Sequence, residues 1–136
     1  MARKRTVTSL MEEAAKLTQR LVKMKAADHM GIAECVTCGK QEHWKELDGG
    51  HFVPRAHKKH KLREENIHPQ CRYCNRYRNG ALGEYTLYMI DMYGRDFVEW
   101  LWDTKQEVVK PQRDELLEII ATLKKQIAEQ EQRLGQ

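Results

Sequence analysis

Two cysteine pairs, Cys35-Val-Thr-Cys38 and Cys71-Arg-Tyr-Cys74, stand 32 residues apart near the middle of the chain. Each Cys-x-x-Cys puts two sulfurs on one tight turn, and two such turns supply the four ligands of a closed tetrahedral zinc site. Gly39, directly after Cys38, suits a knuckle turn that needs a positive φ. The spacing therefore predicts one structural Zn²⁺ on Cys35, Cys38, Cys71 and Cys74. Two unconnected pairs of buried thiols are the plain alternative. A redox pair is disfavoured, because neither pair opens a strand–helix–strand pattern. Four protein ligands leave no open coordination position, so this zinc is not itself a catalyst. Any chemistry must lie in the loop it closes or just beyond.

The remaining composition narrows the class. At 136 residues, 32% charged and 40% hydrophobic, the chain reads as one domain with an appended arm. No apolar run approaches the roughly 20 residues of a bilayer span, so no membrane partner is expected. The basic start, Met1-Ala-Arg-Lys-Arg, is not followed by an apolar stretch, so no secretory leader is expected. A reducing cytoplasm follows, where such cysteines serve as metal ligands rather than disulfides. Net charge is only +4, but it is unevenly placed. Arg3 and six further basic residues up to Lys25 face only Glu12 and Glu13, and eight from Arg55 to Arg78 face only Glu64 and Glu65.

Leu10, Ala14, Leu17, Leu21 and Met24 form a helical stripe, with Thr8 or Ser9 as its cap and Glu12 completing a capping box. Residues 35–54 read as a knuckle and then a hairpin, and Arg55–Glu65 as a basic loop. A helix is expected to start at the second cysteine pair, within Gln70–Leu82. Others follow over Glu84–Tyr93, ending at Gly94, and over Phe97–Trp102 behind Asp96 as cap. The last, Gln112–Leu134, opens at Pro111 and carries the stripe Leu116, Ile120, Leu123, Ile127, Gln130, Leu134. This divides the chain into a basic helix (1–28), a zinc-bound core (29–82) and C-terminal helices (83–136). The two terminal stripes either pack on elements of their own chain or join two copies into a homodimer.

Three further motifs lie around the knuckles: Asp48-Gly-Gly-His51, then Asn66-Ile-His-Pro-Gln-Cys71, then Cys74-Asn75. In that order and wording the chain resembles the phage NinG (Rap) recombination endonucleases, within the HNH or ββα-metal nuclease superfamily. The likeness covers about residues 30–80, with a weaker likeness in the tail. A cysteine-rich N-terminal segment of some longer relatives is not in this sequence.

The resemblance implies an α+β fold: a ββα-metal core stapled by the four-cysteine zinc and flanked by N- and C-terminal helices. It implies that His51 is the general base, that Asn66 pins the hairpin loop, and that Asn75 ligates a catalytic divalent cation, Mg²⁺ or Mn²⁺. The residue before the base is usually a second ligand. Here it is Gly50, so Asp48 takes that role, with His68 as the next choice. The activity implied is metal-dependent hydrolysis of DNA phosphodiesters at branched recombination intermediates (D-loops and Holliday junctions), in a bacterial host cell. The chemistry is compatible with these residues: a neutral imidazole accepts a proton near pH 7, and a hard cation takes oxygen ligands. Arg55, Lys58, Lys59, Lys61, Arg63, Arg72, Arg76 and Arg78 are the expected contacts to phosphates. His57 and His60 are expected to be solvated or near the DNA, and His29 and His43 to be surface or satisfied core residues. Rival readings are an HNH nuclease nicking ordinary duplex, a non-catalytic zinc DNA-binding module, and a zinc-stapled helical adaptor.

Overall fold

The computed structural model describes residues 5–135; Arg3 and Lys4 of the basic N-terminal run lie outside them. Helix α1 (Val7–Ala26) starts earlier than the sequence suggested. Thr6 is the cap, its Oγ1 accepting from the Ser9 N–H at 3.0 Å, so Thr8 and Ser9 fall inside the first turn. The chain leaves α1 through Asp28, whose Oδ1 accepts from the Met30 and Ile32 N–H groups.

Strands β1 (Ile32–Glu34) and β2 (Gln41–His43) pair antiparallel and hold the first knuckle between them. After a 3₁₀ turn at Trp44–Glu46, β3 (Asp48–His51) pairs antiparallel with β4 (Ile67–Gln70), aligning Asp48 with Gln70 and His51 with Ile67. The Phe52 N–H donates to the Asn66 carbonyl at 2.8 Å. By alternation Gly49 and Pro69 then face each other in a non-hydrogen-bonded pair, where proline's missing N–H costs no ladder bond. The segment between these strands is no open loop, because it carries 3₁₀ turns at Lys58–His60 and Glu64–Asn66.

The expected helix over Gln70–Leu82 shrinks to a π-type turn, Tyr73–Tyr77. It breaks because Asn79, Gly80 and Ala81 take φ of 51°, 85° and 49°, three successive left-handed residues. Helix α2 (Leu82–Tyr93) and helix α3 (Arg95–Asp103) meet at Gly94, with φ 88°. That glycine closes one helix and opens the next, so Asp96 lies in the first turn of α3 rather than before it.

Helix α4 (Arg113–Leu134) begins two residues after Pro111. It runs in the same direction as α1: Arg113 bonds the Arg5 carbonyl at one end, and Arg133 bonds the Met24 carbonyl at 2.6 Å at the other. Leu116, Ile120, Leu123 and Ile127 are buried with Leu10, Ala14, Leu21 and Met24 in one cluster that also holds Cys35, Cys71 and Cys74. The α4 stripe thus packs inside its own chain. A second cluster joins Phe52 and Val53 to Tyr85 and Met89 of α2 and Val98 and Leu101 of α3. Among the described residues no helix is long and apolar enough to cross a membrane.

Candidate functional site

The four cysteine sulfurs lie within 4.8 Å of one another. Tetrahedral zinc–sulfur bonds of about 2.3 Å require sulfurs about 3.8 Å apart, and Cys38 and Cys71 are at 3.7 Å. Donors already surround them: the Cys74 N–H points at Cys71 Sγ (3.4 Å) and Arg78 at Cys74 Sγ (3.8 Å). Burial pushes the Cys38 thiol up to about 12, and its cysteine neighbours add to this. For Cys35 burial acts in the same direction, but hydrogen bonds from Thr37 and nearby backbone outweigh it and bring the thiol down to about 6. Four sulfurs this close ionise together only around a cation. The cluster could therefore hold a structural metal such as zinc.

The cysteine cluster and the β3–β4 hairpin bring the other motif residues into one region. Asn66 is fully buried. Its Oδ1 accepts from the Val53 N–H at 2.8 Å, and its Nδ2 donates to the Val53 carbonyl at 3.0 Å and the His60 carbonyl at 3.3 Å. It closes the loop after β3 on itself. His51 ends β3, and its Nε2 is 2.9 Å from the Lys61 carbonyl. A carbonyl only accepts, so the ring proton sits on Nε2 and Nδ1 is left as the acceptor. Nδ1 has no protein partner among the described residues. Burial, with the charges of Arg55 and Lys61, holds the imidazole below its ordinary 6.5 although the Lys61 bond raises it. The ring is neutral at pH 7.

His51 and Asn75 line one cleft of about 270 Å³, together with Gln19, Arg55, Asn79 and Tyr85. Asn75 Nδ2 donates to Asp48 Oδ2 at 3.0 Å, which leaves Asn75 Oδ1 without a protein partner among the described residues. Asp48 is held in a two-point pair by Arg76, at 2.9 and 3.0 Å. Gly50, which breaks the usual pattern, has a cause in the fold. A Cβ there would lie 1.8 Å from Gln70 Oε1, so the buried Gln70 amide fills the space of any side chain at position 50. That amide is fixed by bonds to Thr37 Oγ1 (3.2 Å) and the Gly80 carbonyl (2.8 Å). Gln70 stands in the motif run before Cys71, but a polar residue beside a cysteine pair carries no signal of burial.

His68, the alternative ligand to Asp48, points its ring at two tyrosines. Tyr85 donates to the Gly50 carbonyl at 2.7 Å, so its oxygen must accept from His68 Nδ1–H at 3.0 Å. His68 Nε2 then accepts from Tyr93 at 2.7 Å. Both ring nitrogens are engaged, which leaves none for a cation. Burial pushes the imidazole down to about 4. Because the folded value lies below the ordinary 6.5, this ring's contribution is complete above pH 6.5 and is lost as pH falls towards 4. The full span is worth about 3 kcal/mol, of which about 2 kcal/mol is gone by pH 5. Urea unfolding of the zinc-loaded protein should therefore weaken more steeply from pH 7 to 5 than that of His68→Gln. Equal slopes would show that the ring does not report this burial.

The basic residues are less available than their count suggested. Lys61 is 7% exposed, and its ammonium is bonded to Glu12, which also takes Arg55 at 2.7 Å. Lys59 pairs with Glu107 at 3.0 Å, Arg72 with Glu46 at 3.4 Å, and Arg78 with Glu84 at 2.8 Å. Arg63 donates to His60 Nδ1 and lies 4.8 Å over the Trp100 ring. Only Lys58 of the eight has no such partner among the described residues. His60, expected in solvent, is fully buried against Trp100 and bonded to Thr104. His57 is half-buried, His29 exposed and His43 half-buried.

The profile of the bacteriophage lambda NinG protein family matches residues 1–133, nearly the whole chain. The chain belongs to the NinG family. No curated protein and no solved structure matches it. The match runs beyond the motif region of this NinG-family chain and takes in α1, α2, α3 and nearly all of α4. The terminal helices are therefore part of what defines the family, as their shared core with the cysteine cluster would require.

Proposed function

We propose that the chain is a metal-dependent DNA endonuclease of the HNH type, acting on branched recombination intermediates such as D-loops and Holliday junctions. One observation carries this reading: His51 is locked with its proton on Nε2, neutral, with Nδ1 left as an acceptor at a cleft shared with Asn75. A hairpin followed by a helical turn, with the base at the end of the first strand and Asn75 just after the last cysteine, is the order a ββα-metal site needs.

In this reading His51 Nδ1 takes a proton from water, whose oxygen attacks phosphorus while the bond from phosphorus to the leaving oxygen breaks. Asn66 contributes by fixing the loop whose Lys61 carbonyl aims the ring. Asn75 Oδ1 and Asp48, once its Arg76 partner is displaced, would hold a divalent cation, Mg²⁺ or Mn²⁺. Such an ion supplies charge stabilisation on phosphate and leaving oxygen. The branched substrate comes from the family resemblance, because a site of this kind cuts many DNA forms. Symmetrical cutting of a junction needs two chains. With the α4 stripe used up against α1, two copies would meet on the DNA rather than through a coiled coil.

Incubation of the zinc-loaded protein with junction, flap and linear duplex DNA tests this. Cleavage is expected with Mg²⁺, none with EDTA, and faster cutting of junction and flap than of duplex. Equal cutting of all three would favour a general duplex nickase. Binding without cutting in Mg²⁺ or Mn²⁺ would replace the reading by a zinc-containing DNA-binding module.

A further inference from the structure

A second depression of about 480 Å³ adjoins the His51 cleft and shares Gln19, Gly49, Arg55 and Asn75 with it. Its lining carries Lys16, Arg20 and Lys23 of α1 together with Arg55 and Arg76. The one carboxylate in its lining is Asp48, already held by Arg76. Trp44 also lines it, with Arg20 5.0 Å and Lys23 5.8 Å from the ring centroid, so the indole face supports the cations. The narrowness is built in: a Cβ on Gly49 would lie 2.7 Å from Gln19 Cβ, so only glycine lets the strand lie this close to α1.

We infer that this trough is a nucleic-acid backbone site, in which Lys16, Arg20 and Lys23 of α1 hold successive phosphates of the strand that enters the His51 cleft. Seven residues of helix rise about 10.5 Å. A nucleic-acid strand carries one charge per about 3.4 Å of axis. Lys16, Arg20 and Lys23, at i, i+4 and i+7 on one face, therefore span about three phosphates. Charge selects the occupant: among the described residues Lys16 has no acidic partner, Lys23 only donates to the Leu47 carbonyl at 3.0 Å, and Arg20 meets Glu131 at 3.7 Å, so the α1 face offers three cations to a polyanion. Continuity with the cleft selects nucleic acid among polyanions. Arg55 lines the trough although it is paired with Glu12, and the rest of the basic loop would be secondary, because Lys59 is held by Glu107 and Lys61 by Glu12. This inference rests on the DNA reading of the site and not on its chemistry.

The experiment is fluorescence anisotropy of a labelled DNA junction with the full zinc-loaded chain in EDTA-free Ca²⁺ buffer, over a range of salt. For Lys16→Gln/Arg20→Gln the slope of log affinity against log salt should flatten by about 2, as expected for two lost phosphate contacts. Affinity should fall at least tenfold at 0.1 M salt, on the order expected for two such contacts. Lys58→Gln/Lys59→Gln should flatten the slope by less than about 1. Zinc content and circular dichroism confirm that each variant is folded. If the double variant fails there, Lys16→Gln alone should still flatten the slope by about 1. An unchanged slope in the α1 variants, with flattening by the loop variants, would overturn the inference. A wild type that binds through α1 yet never cuts would leave the inference standing and remove the nuclease reading. Cutting with no dependence of binding on α1 would do the reverse.

Discussion

Cys71→Ser is expected to abolish zinc retention and, with it, cooperative unfolding of the whole chain. Three of the four cysteines lie in the same apolar cluster as α1 and α4, so a metal held there would not be a peripheral staple. The strands it organises are of three and four residues, in two separate two-stranded sheets, and ladders this small do not persist alone. A structural zinc supplies on the order of 10 kcal/mol of folding free energy at pH 7, as much as a domain's whole stability. Removing one thiolate would leave three crowded sulfurs and an open position. Zinc analysis of the purified variant should fall from about one ion per chain towards none. Thermal circular dichroism should change from one sharp transition to a broad, low-amplitude melt dominated by the α1–α4 pair. Chelation of the wild type should reproduce the same melt. A zinc-free chain that melts cooperatively at the wild-type temperature would show that the core stands without metal.

What could be read from the sequence divides along physical lines. The cysteine cluster was legible because ligand spacing is a local constraint with few solutions. The α1 and α4 stripes were legible because apolar periodicity reports a buried face. It did not say which partner buried the face, and that proved to be the other terminal helix. Asn66 was visible only as a motif letter, and its three bonds to Val53 and His60 appear only once the loop has closed. The misread helix after Cys71 turned on Ala81, a residue with good helical propensity held left-handed by its surroundings. The Gly80 and Ala81 N–H groups bond back to the Cys74 and Arg78 carbonyls. The acids that pair with the basic loop were hidden for a related reason: a run of Lys and Arg does not show which carboxylates fold back onto it. Glu12, some fifty residues away in sequence, sits beneath it. The same separation hid the α1 trough, whose walls meet only after β3 docks on α1.

His51→Ala carries the second large effect and is the sharpest test of the chemistry. The substitution removes the acceptor but neither a zinc ligand nor a cation, so zinc content and DNA affinity should stay near wild type. Cleavage should fall by at least about 100-fold, the ordinary contribution of a positioned general base. Added Mg²⁺ or Mn²⁺ should not restore it, since a cation does not take up the proton. Asn75→Ala and Asp48→Ala should also lose cleavage, and there excess metal should recover part of the rate by refilling a weakened site. The pH profile gives an independent mark. Burial holds His51 below 6.5, and only the neutral ring accepts a proton. The rate should therefore climb with pH through a limb lying below 6.5 and be flat around neutrality. A limb above 6.5 would mean that another group is the base. Asp48→Ala decides a finer point: near-normal cutting would make its pair with Arg76 a tether of the π-type turn, and the cation would rest on Asn75 and oxygens other than those of Asp48. Near-normal cutting by His51→Ala would cost more, because no other imidazole lines this cleft. The locked ring would then be only a hairpin brace between β3 and the Lys61 carbonyl, and the zinc-stapled DNA-binding module would become the better account of the same geometry.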